Sequence, residues 1–399
     1  MDIEWLTRRE DVENAASEVI LNSPPRLPTR PLKGATSRNP TYLLIINPGS
    51  TSTKVAVFDG SAAADRDNKV AEEGIRHDAH DLAQFDNVAD SLEFRLTAIN
   101  EWLESTKIDM SQIKAVVGRG APVKPLAGGS YAISEQMLSD LRTMKYSNHA
   151  SNLGAIIAHH FGQKLGVPCF ISDPITVDNF TDIARVSGIP EIERKCRVHA
   201  LNIKEVCRRE AAKIGKKLEE VNYVCAHMGG GVSVAALEGG RVVDVNDALL
   251  GMGPFSPDRA GALPVGPLVK LCFSGKFTEK EMIDKLSRKS GLVAYIGAAD
   301  LRECERMIRA GDEKALLYFN AMAYQIAKEI GQAAVVLRGK YEAIVLTGGM
   351  AKSQRLVDEI SKYIGFLGKV IVVGGEFEME ALAAAGMRYL SGMEKLKEY

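Results

Sequence analysis

One arrangement occurs twice in this chain, and it restricts the fold more than any other feature. TYLLIIN is an apolar, β-branched run, NPGSTST is a polar glycine turn, and KVAVFDG is a second apolar run that closes on Asp59-Gly60. Residues 222–245 repeat the layout, with NYVCAHM, then GGGVS, then VAALEGG and RVVDV. Apolar runs of this length bounded by glycine read as strands joined by tight turns. The two polar turns lie roughly 180 positions apart in 399 residues, far beyond a solenoid period, and so point to a duplicated domain. A third glycine turn ends the strand in EAIVLTGGMAKS, and its composition predicts a helix after Gly348-Gly349. Helices are predicted at 133–145, 149–165, 200–217, 278–289, 312–338 and 376–391. Strands alternating with helices define the α/β class.

Residues 1–40 do not share this pattern. Trp5, Leu6, Val12, Ala16, Val19 and Ile20 fit one face of a short helix, and Pro24, Pro25, Pro28, Pro31 and Pro40 then impose an extended tether. The expected division is an arm at 1–40, a first domain at 41–195 and a second at 196–399. Lys and Arg total 50 against 51 Asp and Glu, a net charge of -1 that argues against a nucleic-acid partner bound by bulk charge. No apolar run approaches the roughly 18 residues of a membrane span. The acidic N-terminus reads as neither a secretory signal nor an organellar leader. Six scattered cysteines with no CxxC pair argue against a disulfide scaffold or structural zinc and point to a reducing cytoplasm.

The glycine turns suit phosphate. Without a Cβ, their backbone amides approach an anion closely, and a following helix adds a favourable dipole. Three such turns after apolar strands, two of them in matched halves, point to a bound nucleotide. GxxxxGK[ST] and a helix-opening GxGxxG are both absent, which removes the Walker and Rossmann readings.

The segments LLIINPGSTSTKVAVFDG, VVGRGAPVKPLAGGSY, HASNLGAIIA, ISDPITVD, IARVSGIPEIERK, HALN, HMGGGVSVAALEGG, SPDRAGALP, LTGGMAKS and EFEMEALA resemble the acetokinase family. The likeness is closest to its butyrate kinase branch, because acetate kinases carry an Asn-Ala-Gly-Ser-Ser-Ser turn in place of Asn-Pro-Gly-Ser-Thr-Ser. It covers about residues 41–395, and the arm at 1–40 is the departure from it. The resemblance implies two duplicated ribonuclease H-like, actin-like ATPase domains of the acetate/sugar kinase, Hsp70 and actin superfamily, with an interdomain nucleotide cleft. It also implies ATP/ADP and Mg²⁺, a short-chain carboxylate and its acyl phosphate as substrates, a phosphotransacylase as metabolic neighbour and a homo-oligomer of two or more chains.

A carboxylic acid is already ionised at neutral pH, so its phosphorylation requires positioning and charge stabilisation rather than a base. Arginines in glycine-rich settings answer that need, because a planar guanidinium forks onto an oxyanion. By the resemblance, Arg119 faces the substrate carboxylate, Arg259 and His199 meet the transferred phosphoryl group, and Asp173 lies near the metal, with Asp178 as its rival. Glu378 is the metal-associated acid, with Glu376 and Glu380 as rivals. Asn47 reaches the metal or phosphates, with Ser50, Ser52 and Lys54 around the first turn; Lys54 can equally face outward from its strand. Gly229, Gly230 and Gly231 form the β/γ-phosphate turn, with His227 holding it. Gly348 and Gly349 sit by the α-phosphate and nucleoside. The spacing of His77, His80, His149, His159 and His160 carries no argument for catalysis. Acetate or propionate kinase is the alternative activity, and a non-catalytic nucleotide-switched protein is the alternative class.

Overall fold

The protein is represented by a computed structural model that describes residues 19–21, 40–61, 68–85 and 87–399. Among these residues there are twelve strands: β1 (Val19–Leu21), β2 (Tyr42–Pro48), β3 (Ser52–Asp59), β4 (Lys69–Arg76), β5 (Ile113–Arg119), β6 (Ser130–Ala132), β7 (Cys169–Ser172), β8 (Asn222–Met228), β9 (Val232–Glu238), β10 (Arg241–Val245), β11 (Ala343–Gly348) and β12 (Val370–Gly374). They form two six-stranded sheets, ordered β4-β3-β2-β5-β7-β6 and β1-β12-β11-β8-β9-β10.

The sheets repeat one plan. In each, the first long strand pairs antiparallel with its hairpin partner, which pairs antiparallel with the next (β2-β3-β4 and β8-β9-β10). Parallel strands then add to the other side of the first, β5 and β7 in one sheet, β11 and β12 in the other. They differ at the last edge, where β6 runs antiparallel to β7 but β1 runs parallel to β12. Val19 and Ile20 are thus strand residues, not part of the helical face expected for the arm. Pairing with an exposed sheet edge satisfies backbone groups that an isolated helical turn of this length would leave open. The other arm residues of that face (Trp5, Leu6, Val12 and Ala16), together with Pro24, Pro25, Pro28 and Pro31, lie outside the described residues.

Two compact units result. The N unit holds the described residues of 40–178 with 200–205 and 377–399, and the C unit holds 19–21, 179–199 and 206–376. Sequence reading drew a single boundary at 195/196. The structure returns the C-terminal segment to the first sheet, for a physical reason. Leu43, Ile45, Ala56, Phe58, Ala115 and Val117 form a second apolar face of that sheet, and Leu382, Ala385 and Met387 of helix Glu378–Leu390 cover it. The other face carries Leu44, Ile46, Val55, Val57 and Val116 against Leu96, Ile99, Ile156 and Phe161. Burial on both faces is why β2 reads as a continuous apolar run rather than an alternating one. Each such aliphatic side chain contributes about 1.5–3 kcal/mol when fully buried. In the C unit, Val224, Ala226, Val234 and Ile344 pack against helices Glu313–Val336 and Gln354–Ile364.

The predicted helices are present with trimmed ends, as Glu135–Arg142, Asn152–Leu165, Ala200–Lys213, Glu279–Arg288, Glu313–Val336 and Glu378–Leu390. Helix Leu92–Thr106 went unpredicted because its buried stripe, Arg95, Leu96, Ile99 and Leu103, begins with an arginine. Among the described residues no helix is long and apolar enough to cross a membrane, and all six cysteines are free thiols.

Candidate active site

Ligands of open α/β sheets gather beyond the carboxyl ends of parallel strands. In the N unit those ends bring three of the expected residues into line. Ile46 of β2 pairs with Gly118 of β5, and Arg119 of β5 pairs with Ser172 of β7. Asn47, Arg119 and Asp173 therefore leave neighbouring strands at one level.

Close packing fixes Arg119. A Cβ on Gly118 would sit 2.3 Å from the Gly154 carbonyl oxygen of helix Asn152–Leu165, and one on Gly120 would sit 2.5 Å from Pro174 Cα. Both flanking glycines are thus dictated by backbone approach. The Arg119 guanidinium is largely buried, with Nη1 2.7 Å from Glu378 Oε1 in an ion pair that falls outside hydrogen-bond geometry. Asn47 Nδ2 donates to the other Glu378 oxygen at 2.9 Å. The rival acids stand elsewhere, since Glu380 pairs with Lys69 at 2.9 Å and Glu376 is exposed. Glu378 is the acid that meets both Arg119 and Asn47.

Asp173 is 4% exposed and holds a positive φ of 39°, an unfavourable conformation for a residue with a side chain. Its carboxylate accepts from the Gly129 amide at 2.8 Å and from Lys204 Nζ at 2.5 Å. Asp178 is half-buried, with its amide on the Leu126 carbonyl at 2.8 Å. Lys204, on helix Ala200–Lys213, is a partner of Asp173 that sequence reading missed. No spacing rule links residues 173 and 204, and only the fold joins them. His149, set aside on spacing, lies near enough to Arg119 to feel its charge. Partial desolvation, then that charge, holds its imidazole below the ordinary pKa.

Ser50 is exposed at the first turn, Ser52 begins β3, and Lys54 is exposed on β3 opposite Asn47. The outward-facing alternative for Lys54 is the one observed.

The C unit presents its own carboxyl ends. Met228 ends β8 just before Gly229–Gly231, and Gly348 ends the adjacent β11. Gly348 has φ of 89°, and a Cβ there would lie 2.4 Å from the Met228 carbonyl oxygen, so the two glycine turns lie against each other. Gly349 opens a short 3-10 turn, Gly349–Lys352, ahead of the helix predicted there. Gly231 has a different reason to lack a side chain, because an added Cβ would fall 2.2 Å from Arg259 Nη1. Arg259 thus lies directly over the phosphate-type turn. Its Nη1 donates to the Ala248 carbonyl at 2.5 Å, and its nearest acid, Asp258, is 3.9 Å away. Burial lowers its pKa below the usual guanidinium range, with Asp258 and Asp247 opposing. A partly dehydrated cation without a contacting carboxylate favours an anionic ligand. Ser256, almost fully buried, donates to the Gly230 carbonyl and receives the Arg259 amide at 3.2 Å, tying the SPDR turn to the glycine turn.

His199 sits at the N-cap of helix Ala200–Lys213, with Nδ1 2.8 Å from Ser233 Oγ. Its ring stacks on His227, with centroids 4.2 Å apart and planes at 17°. A Cβ on Gly229 would lie 3.7 Å from His227 Nε2, so this histidine borders the turn.

Among the described residues no group of three or more His, Cys, Asp or Glu is gathered around a metal position. Mg²⁺ needs no such cage, because it keeps several waters and takes one or two protein oxygens plus substrate phosphates. The oxygen donors of Glu378 and Asn47 fit that requirement.

Residues 191–386 match the sequence model of the Acetokinase family. Solved structures agree on the fold. The acetate kinase of Porphyromonas gingivalis has a TM-score of 0.71 and 19% identity, over 88% of this chain and 100% of that one. A propionate kinase from Francisella tularensis gives 0.66 and 19%, over 86% and 98%. The acetate kinase of Entamoeba histolytica gives 0.67 and 19%, over 88% and 99%. The chain has the acetate kinase fold, and its residues 191–386 are similar to the acetokinase family.

Proposed function

We propose that this protein phosphorylates a short-chain carboxylate, butyrate or a branched acid of four or five carbons, from ATP, giving ADP and the acyl phosphate in a reversible reaction. The observation that carries the reading is Arg259 seated on Gly231, an anion-seeking guanidinium held over a phosphate-type turn. Arg119, beside Asn47 and Glu378 in the other unit, supplies a second forked cation for the carboxylate.

In this reaction one carboxylate oxygen attacks the γ-phosphorus, the bond to the β,γ-bridging oxygen breaks, and ADP leaves with the electron pair. No proton is removed, since the acid is already ionised. In the transition state charge is spread over the equatorial phosphoryl oxygens, where Arg259 and the amides of Gly230 and Gly231 stabilise it. His199 adds a hydrogen bond, its orientation set by Ser233 and by the stacked His227. Asp173, bound to Lys204 and the Gly129 amide, holds the segment after Arg119 in place. Asn47 and Glu378 would hold Mg²⁺, which when bound screens phosphate charge.

The preference for four or five carbons rests on the Asn-Pro-Gly-Ser-Thr-Ser form of the first turn. Acetate or propionate kinase is the second reading, favoured by the names of the solved structures above, and one methylene is worth only about 1–3 kcal/mol of discrimination. We also propose a cytoplasmic enzyme acting as a homo-oligomer with a phosphotransacylase as metabolic neighbour. A nucleotide switch of the same fold has no use for a carboxylate-binding arginine.

The test is acyl hydroxamate formation with Mg-ATP, hydroxylamine and acids from acetate to isovalerate. A signal that peaks at four or five carbons and disappears in Arg259→Ala supports the reading. A peak at acetate or propionate replaces it with the second. No signal from any acid, with nucleotide still bound, refutes the kinase.

A further inference from the structure

Helix Leu92–Thr106 carries a side chain that its packing does not explain. Arg95 is 2% exposed, in a stripe whose other members are Leu96, Ile99 and Leu103. A buried guanidinium is costly unless an acid or a full set of hydrogen bonds compensates it. Among the described residues no carboxylate pairs with it, and all its partners are neutral oxygens. Nη1 donates to the carbonyls of Gly49 at 3.0 Å and Ser52 at 3.2 Å and to Thr53 Oγ1 at 2.9 Å. Nη2 reaches the Ser50 carbonyl at 3.3 Å, and Nε reaches Ser91 Oγ at 3.2 Å. Burial is the cause that lowers its pKa.

Three of the four contacts beyond its own helix are to carbonyls of the first glycine turn. In a trans peptide the N–H points opposite to the C=O. Carbonyls 49 and 50 drawn toward Arg95 therefore aim the amides of Ser50 and Thr51 away from it. Both residues are exposed, and neither amide donates to any described protein atom. The turn has an unsatisfied donor face outside and an uncompensated positive charge beneath. His77 steadies the arrangement, since its amide donates to the Thr51 carbonyl at 3.0 Å and its Nε2 lies 2.8 Å from Thr53 Oγ1. Thr53 Oγ1 thus bridges the Arg95 guanidinium and the His77 ring.

We infer that Arg95 is the positioning residue of the first turn, fixing its amides toward a phosphate and supplying, from behind, the positive charge that the phosphate balances. Successive outward amides over a positive centre form an anion-binding nest. The inference rests on the reading of this protein as a nucleotide-dependent carboxylate kinase.

The test compares Arg95→Lys, Arg95→Met and Thr53→Val with the wild type. Circular dichroism and thermal unfolding report the fold. Kinetics report KM for Mg-ATP against KM for the carboxylate, and calorimetry reports binding of Mg-ADP. Arg95→Lys keeps the charge and loses the fork, so its KM for Mg-ATP is expected to rise about tenfold, the scale of a lost charged hydrogen bond, with the carboxylate KM within twofold of wild type. Arg95→Met is expected to exceed that loss, and Thr53→Val to fall below it with the same split. Folded variants that match wild type in nucleotide KM and Mg-ADP binding, or that raise both KM values equally, overturn the inference. If Arg95 variants do not fold, near-isosteric Thr53→Val decides by the same criteria. A wild-type protein without carboxylate-dependent turnover refutes the kinase reading instead, and Mg-ADP binding by the variants still judges Arg95.

Discussion

The contact between Gly231 and Arg259 makes a quantitative demand. An alanine at 231 places its Cβ 2.2 Å from Arg259 Nη1 and 2.9 Å from its Cζ, whereas ordinary contact begins near 3.4 Å. The guanidinium must therefore move by about 1.2 Å or more, because the opposite side of the new methyl faces the Ala248 carbonyl at 3.1 Å. Misplacement on that scale costs about 10²-fold in rate, and full loss of an oxyanion donor costs about 10³-fold. Gly231→Ala should thus lower kcat by roughly two to three orders of magnitude, near 3–4 kcal/mol in the barrier. Gly231 lacks a positive φ, so the fold should survive. Gly230→Ala is the internal control, since no protein atom lies within 4 Å of its added Cβ. It should raise KM for ATP and leave kcat nearly intact. The hydroxamate assay at saturating acid, with ATP varied, measures both. A Gly231→Ala enzyme with kcat within threefold of wild type, or a Gly230→Ala enzyme equally poor in kcat, would refute the proposed seat of Arg259.

Three further outcomes are expected. Glu378→Gln removes the ion pair to Arg119; in this half-buried setting about 1–3 kcal/mol of stability should go, read by urea unfolding, and the Mg²⁺ concentration for half-maximal rate should rise. His77 and His149 are both held below the ordinary imidazole pKa, by desolvation first and then by Arg95 and Arg119 respectively. The unfolded chain then takes up protons that the native state refuses as pH falls through about 6.5, so their contribution is complete above that pH and lost below it. Tm should drop between pH 7.5 and 5.5, and His149→Gln should flatten the slope. Finally, residues 394–399 clasp the segment after Arg119. Glu394 accepts the Ser130 amide at 2.9 Å, the Lys397 amide donates to the Ser130 carbonyl at 2.9 Å, and Tyr399 Oη donates to Asp140 Oδ2 at 2.9 Å. Their deletion should raise the carboxylate KM more than the ATP KM in the same assay.

Local pattern alone determined a good deal of this protein. The apolar runs at 42–48 and 222–228 specify strands buried on both faces, and the glycine turns after them specify where backbone must come close to something else. Their repetition fixed the duplicated plan that both sheets follow. Arg119 and Arg259 stood out because an arginine among glycines is hard to explain by packing. What sequence could not reveal were relations between distant residues. Helix Glu378–Leu390 ends the chain, yet it covers the first sheet and delivers Glu378 to Arg119 and Asn47, a choice among three acids that no local signal makes. Lys204 meets Asp173, and Arg95 meets the turn at 49–53, because helices unrelated in sequence pack against the same strands. Chain periodicity records which face of an element is apolar. Which buried charge faces which backbone turn is decided only when those faces close on one another, because the desolvation that forces each pairing exists only in the folded core.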